Sequence, residues 1–83
     1  MEKYNEVIKQ LREIRGLKTA FDVEYNSFSD SILLNFKNMK VFHRLESENN
    51  MTWKSFDFIC YMNDIKYDFK NYDKDYGKIK LYF

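Results

Sequence analysis

The sequence predicts an α+β fold: one N-terminal amphipathic helix packed on one face of an antiparallel β-meander of about five to six strands. Three observations lead there. Apolar residues recur at helical spacing as far as Gly16, they alternate with polar ones from Phe21 onward, and polar clusters break that alternation at short intervals.

The helix spans Glu2 to Arg15. Tyr4, Val7, Ile8, Leu11 and Ile14 form a single stripe about 120° wide, which is one buried face. Glu2 and Glu6 lie near the positive end of the helix dipole and Arg12 and Arg15 near its negative end. Gly16 supplies the left-handed residue that closes a helix.

Beyond it, Phe21, Val23 and Tyr25 alternate with Asp22, Glu24 and Asn26 as a strand with one wet face. Ser27 to Ser31 reads as a polar turn, Ile32, Leu34 and Phe36 as the next strand, and Lys37 to Lys40 as a tight turn before a strand over Val41 to Glu46. Ser47 to Asn50 makes a third reversal. Met51 to Tyr61 fits two periods: Phe56, Phe58 and Cys60 alternate, while Trp53, Phe56 and Cys60 also share a helix face. The strand is the expectation adopted, with Asn63-Asp64 as a hairpin turn, a strand carrying Ile65, Tyr67 and Phe69, a turn at Asp73 to Gly77, and a last strand carrying Ile79, Leu81 and Phe83. Short links of this kind join antiparallel neighbours, because parallel pairs need long crossovers.

At 83 residues, with neither proline nor a linker, the chain reads as a single domain over 1–83. Eight Phe, seven Tyr and one Trp provide a core from few residues. Fourteen basic and thirteen acidic residues leave a net charge of +1, neither the field of a phosphate binder nor the acidity of a nucleic-acid mimic. No apolar run is long enough to cross a membrane and the N-terminus lacks the apolar stretch of a secretory signal, so a cytoplasmic protein is expected.

Few residues carry chemistry. Cys60 lies in the apolar run Phe58-Ile59-Cys60-Tyr61 and reads as a buried thiol; His43, between Phe42 and Arg44, has no second ligand or base at useful spacing. A Cys60–His43 dyad across neighbouring strands lacks the glycine turn that would stabilise an oxyanion. Asn71 to Gly77 superficially resembles a calcium loop, but its glycine falls one residue late and Tyr82 stands where the closing Glu belongs. Asn50-Met51-Thr52 matches a glycosylation acceptor, which means nothing without export. Asp57, Asp64, Asp68, Asp73 and Asp75 alternate with lysines as on a solvated face. No enzyme, cofactor or metal is expected.

What remains is a surface. On the strand reading, Leu33, Phe42, Trp53, Ile59, Tyr61 and Tyr82 point away from the helix, beside Arg44, Lys66, Lys70 and Lys80. Six large apolar residues among basic ones have the make-up of an interface. The partner-binding set is therefore expected at Phe42, Arg44, Trp53, Ile59, Tyr61, Lys66, Lys70 and Tyr82, on the condition that residues 51–61 are extended. A composition rich in Lys, Asn, Tyr, Phe and Ile is associated with AT-rich genomes. Together these suggest a small non-enzymatic protein-binding module: a phage- or mobile-element-encoded inhibitor, of anti-defence or anti-CRISPR type, that occludes a site on a larger protein or nucleoprotein in the host cytoplasm. The alternatives are a single-stranded nucleic-acid binder, since lysines interleaved with aromatics can track a strand, and a homodimeric structural module.

Overall fold

The computed structural model describes residues 2–26, 28–47, 49–73 and 76–83, with the backbone alone at residues 2, 71–73 and 76. The elements are α1 (Glu2–Arg12), β1 (Phe21–Asn26), β2 (Ser31–Phe36), α2 (Met39–Glu46), α3 (Met51–Met62), β3 (Lys66–Asp73) and β4 (Tyr76–Tyr82). The α+β class and the antiparallel sheet agree with the sequence, but among the described residues the strands number four and the helices three. All three helices lie on one face of the sheet.

The two segments read as strands, Val41–Glu46 and Met51–Tyr61, are helices, and local chemistry sets where each begins. Asn38 and Asn50, read as turn residues, are N-caps: each side chain accepts a hydrogen bond from the backbone N–H two residues on, Lys40 at 2.9 Å and Thr52 at 2.8 Å. Phe42 and Leu45 then share the buried face of α2, and Phe56 and Cys60 that of α3. Asn63-Asp64 is not a hairpin turn but the stop of α3. Asp64 takes the left-handed conformation (φ 56°), its N–H donates to the Tyr61 carbonyl, and the Ile65 N–H reaches back to Cys60 at 2.9 Å. This six-to-one closure sends buried Ile65 into the core.

The sheet order is β1-β2-β4-β3 and every neighbouring pair is antiparallel. It consists of two hairpins, β1–β2 and β3–β4, joined along β2 and β4. Since β2 and β3 each oppose β4, they run parallel to one another, and α2 with α3 is the crossover between them. The expected meander is thus corrected: the connection after β2 is a helical pair, not a tight turn. The turn expected at Asp73–Gly77 narrows, because Asp73 pairs with Tyr76 and Gly77 sits within β4; Lys74 and Asp75, like Ser27 and Glu48 in the other expected reversals, lie outside the described residues.

Register places the inner rows directly. Tyr25, Ile32, Leu81 and Tyr67 lie side by side across the sheet, then Val23, Leu34, Ile79 and Phe69, then Phe21, Phe36 and Gly77. Val7 and Leu11 of α1, followed by Ile14 and Leu17, are buried in the same core. Helix α1 ends at Arg12, three residues before the expected Arg15, and Gly16 takes the left-handed conformation expected of it (φ 91°). Tyr25 donates to the Asn5 Oδ1 at 3.2 Å, and the Arg12 guanidinium stacks 4.3 Å from the Phe21 ring, fixing α1 beside β1. On its other flank Asn63 of the α3 stop donates to Gln10 at 3.0 Å.

Helix α2 buries Phe42 and Leu45, and Phe42 makes its closest contact with the sheet. The Phe42 ring lies flat on Gly77, so close that a Cβ there would fall 2.6 Å from three ring carbons. Phe36 and Phe69 flank the same ring, each with centroids 5.9 Å away. Gly77→Ala is therefore expected to destabilise the fold by about 1–3 kcal/mol through overpacking, and Phe42→Ala by about 3–5 kcal/mol through the cavity it leaves. The double change Gly77→Ala/Phe42→Leu should cost less than the sum of its parts. Urea unfolding of the four chains measures all three effects.

Candidate binding surfaces

The eight residues expected on one partner-binding face separate into three places. Phe42 is fully buried under α2 and is a core residue. Trp53 is half-buried on α3, and its indole, which can only donate, lies near the Tyr67 hydroxyl. Tyr67 in turn donates to the Asp57 Oδ1 at 2.7 Å. Trp53 is thus turned inward, towards Tyr67 on β3. Arg44, Ile59 and Tyr61 belong to the helical layer, while Lys66, Lys70 and Tyr82 lie on the far side of the sheet. The single greasy sheet face expected from the strand reading does not form, because four of its six apolar members are on helices.

That outer sheet face is instead a charge grid. Its rows are Asn26, Ser31, Tyr82 and Lys66; Glu24, Leu33, Lys80 and Asp68; and Asp22, Asn35, Lys78 and Lys70. Acid sits at the β1 edge, where Asp22 pairs with Lys37 at 3.5 Å and Glu24 accepts from Asn35 at 2.6 Å. Base sits on β3 and β4, where in these three rows four lysines meet one aspartate. Tyr82 donates to the Asp68 Oδ2 at 3.1 Å, Lys70 lies 3.9 Å from the same oxygen, and the Lys80 ammonium lies 5.1 Å from the Tyr82 ring.

The apolar surface lies on the opposite side of the molecule, on the outer face of α3. At 100° per residue, Met51, Phe58 and Met62 fall within about 40° of one another and Tyr61 about 60° further round, directly away from the buried Phe56 and Cys60. Their exposures are 70%, 62%, 64% and 79%, against a core whose members are nearly all below 10%. Phe58, expected in the core, is thus a surface residue. Helix α3 is apolar on both sides, a pattern that normally accompanies burial on both sides. Beside its first turns runs an open groove of about 720 Å³, lined by Met51 and Ile59 together with Glu13, Arg15 and Arg44. Arginine at the border of an apolar contact is characteristic of interfaces.

The groups that could have carried reactions are engaged otherwise. Burial, with the Asp57 carboxylate adding repulsion, pushes the Cys60 thiol up to about 12, so it stays protonated at neutral pH. Burial first, then the hydrogen bond to Asp57 and its charge, pushes the Tyr67 hydroxyl well above the ordinary phenol range, with the nearby Trp53 indole acting in the opposite sense. His43 is exposed on α2 and its Nδ1 lies 2.8 Å from the Glu46 carboxylate, one helical turn away. An exposed His43 held by Glu46 and a sealed Cys60 do not form a dyad. Among the described residues no group of three or more His, Cys, Asp or Glu side chains is placed to hold a metal ion, and no helix is long and apolar enough to cross a membrane.

The Phe58 stripe was legible only by treating residues 51–62 as a helix: the same wheel that groups Trp53, Phe56 and Cys60 leaves Met51, Phe58 and Met62 on the other side. No protein-family model, curated protein or solved structure matches the chain.

A thiol raised by three pH units has about a thousandfold less thiolate near pH 8. Iodoacetamide should accordingly label Cys60 at least about a hundredfold more slowly in the folded chain than in urea; equal rates would contradict its burial. The same shifts set a pH dependence. Because the folded chain holds protons on Cys60 and Tyr67 that the unfolded chain releases, this stabilisation is complete below about pH 9 and declines as pH rises above it. Melting temperatures between pH 8 and 10.5 should fall, and less steeply in Cys60→Ala and Tyr67→Phe.

Proposed function

We propose that this chain is a small non-enzymatic protein-binding module that docks through the outer face of α3. One observation carries the reading: Met51, Phe58, Tyr61 and Met62 stand together in solvent on a helix whose other side is already packed. Exposing such a stripe has a solubility cost that a monomeric fold gains nothing from, and contiguous apolar patches mark contact sites. The residue types also suit the role. Methionine adapts its shape to irregular partners, and Tyr with the groove-lining arginines Arg15 and Arg44 belongs to the types that dominate interface energetics. The neutral, buried Cys60 and the surface-bound His43 support a role without catalysis.

The narrower role, a phage- or mobile-element-encoded inhibitor that occludes a site on a host protein or nucleoprotein in the cytoplasm, draws its support from small size and AT-rich composition. A second reading, binding of a single-stranded nucleic acid, is favoured by Lys66, Lys70, Lys78 and Lys80 on the sheet's outer face. Stacking platforms are sparse there. Tyr82 is the one aromatic in the three described rows, and its hydroxyl is committed to Asp68.

Phe58→Glu separates the leading reading from a structural role. Its side chain is mostly in water, so far-UV circular dichroism and melting temperature should match the parent chain, whereas a partner captured on the immobilised parent should be lost. Trp53→Ala should do the reverse, lowering stability by about 2–3 kcal/mol while a folded fraction retains the partner. Retention by Phe58→Glu would refute the α3 surface. For the second reading, a labelled oligonucleotide should bind at low salt and weaken steeply as salt rises, and Lys66→Glu/Lys70→Glu should abolish the signal. No binding at 20 mM salt removes it.

A further inference from the structure

The occupant of the α3 face is itself constrained by the structure. Resting on the reading of that face as a contact surface, we propose that it is covered by α3 of a second copy of this chain, the two helices packed antiparallel about a two-fold axis near Phe58.

Area comes first. Four side chains exposed by 62–79%, at 150–250 Å² for a large residue, present on the order of 500 Å² per copy. Two copies together then bury about 1,000 Å², the lower bound for a specific interface. The stripe is one helix wide and, at 1.5 Å per residue over twelve residues, about 18 Å long. Centred on Phe58, a second antiparallel α3 overlaps it over residues 54–62 and leaves Met51 against the chain just beyond the second copy's Met62.

Charge sets the direction. Helix α3 has no acidic residue in its first turn and no basic residue in its last, so its dipole is not compensated by its own side chains. Exposed Lys54 adds positive charge to the N-terminal half, and exposed Asp64 adds negative charge just beyond the C-terminus. Each α3 is therefore positive at one end and negative at the other. Antiparallel packing brings unlike ends together, whereas parallel packing stacks like on like. A two-fold axis at Phe58 sets the two Phe58 rings against each other. Lys54 then lies beside the ring of Tyr61 in the second copy, and Asp64 beside the second copy's first α3 turn. The helical layers meet in the middle of this dimer, and the two lysine-rich sheet faces look outward on opposite sides.

Sedimentation equilibrium of the full chain from 1 to 500 µM tests the proposal. The mass should rise reversibly from one chain, 10.3 kDa, towards twice that value, and Phe58→Glu should remain at one chain throughout with unchanged circular dichroism. Orientation has its own readout in a Cys60→Ala background. Phe58→Cys should form an intermolecular disulfide on mild oxidation and Met51→Cys should not, since antiparallel packing separates the two Met51 positions. Crosslinking at both positions, or a single-chain mass at 500 µM, overturns the proposal. A chain that stays monomeric yet loses a captured partner through Phe58→Glu overturns only the second copy as occupant, because the contact surface itself is then confirmed by a different protein.

Discussion

The pairing of β2 with β4 is the contact on which the rest of the structure depends. Each hairpin is local and, alone, a two-stranded ribbon that is marginal in water. Aligning Ile32 with Leu81 and Leu34 with Ile79 joins the two ribbons into a floor of three apolar rows. Only that floor is wide enough to bury stripes from three short helices. Helix α1 covers the β1 side, where Arg12 and Asn5 hold it, and α2 with α3 closes the β3–β4 side through Phe42 on Gly77 and Phe56 against Tyr67, ring centroids 5.3 Å apart. The pairing also requires a long connection. Because β4 separates β2 from β3, the chain must cross the sheet between them, and the helical pair is that crossing.

The same crossing creates the molecule's surface asymmetry. A sheet covered on one face alone leaves the other in water, and the register shows how that face stays soluble: lysines on β3 and β4, carboxylates on β1, and Leu33 tucked between Glu24 and Lys80. The apolar excess is carried by α3 instead. Its inward residues satisfy the core, its caps at Asn50 and Asn63 complete its ends, and its outward residues stand mostly in solvent. Two surfaces of opposite character thus lie on opposite sides, and contact at one leaves the other free.

Polar chemistry inside the fold serves packing. The Tyr67–Asp57 hydrogen bond lets two polar side chains sit at the α3–β3 boundary, and both Tyr67 and Cys60 are held in their neutral forms. This explains why the most perturbed titrating groups among the described residues mark a boundary between elements rather than a reactive centre.

The amino-acid sequence by itself determined α1, its stop near Gly16, the strands β1 to β4 in outline, the alternation that buries Ile32, Leu34, Phe36, Ile79 and Leu81, and the fate of Cys60. These follow from spacing within one element, a property of neighbours along the chain. What only the tertiary structure decided is the state of residues 39–62 and therefore the surface. In Met51–Met62 nearly every second residue is apolar and so is nearly every third or fourth, so periodicity fits a strand and a helix alike. The choice rests on the Asn caps and on whether Phe42 and Phe56 find a floor to bury against, and that floor exists only once two hairpins distant in sequence have joined. Packing, rather than pattern, turned Phe58 outward and Phe42 inward.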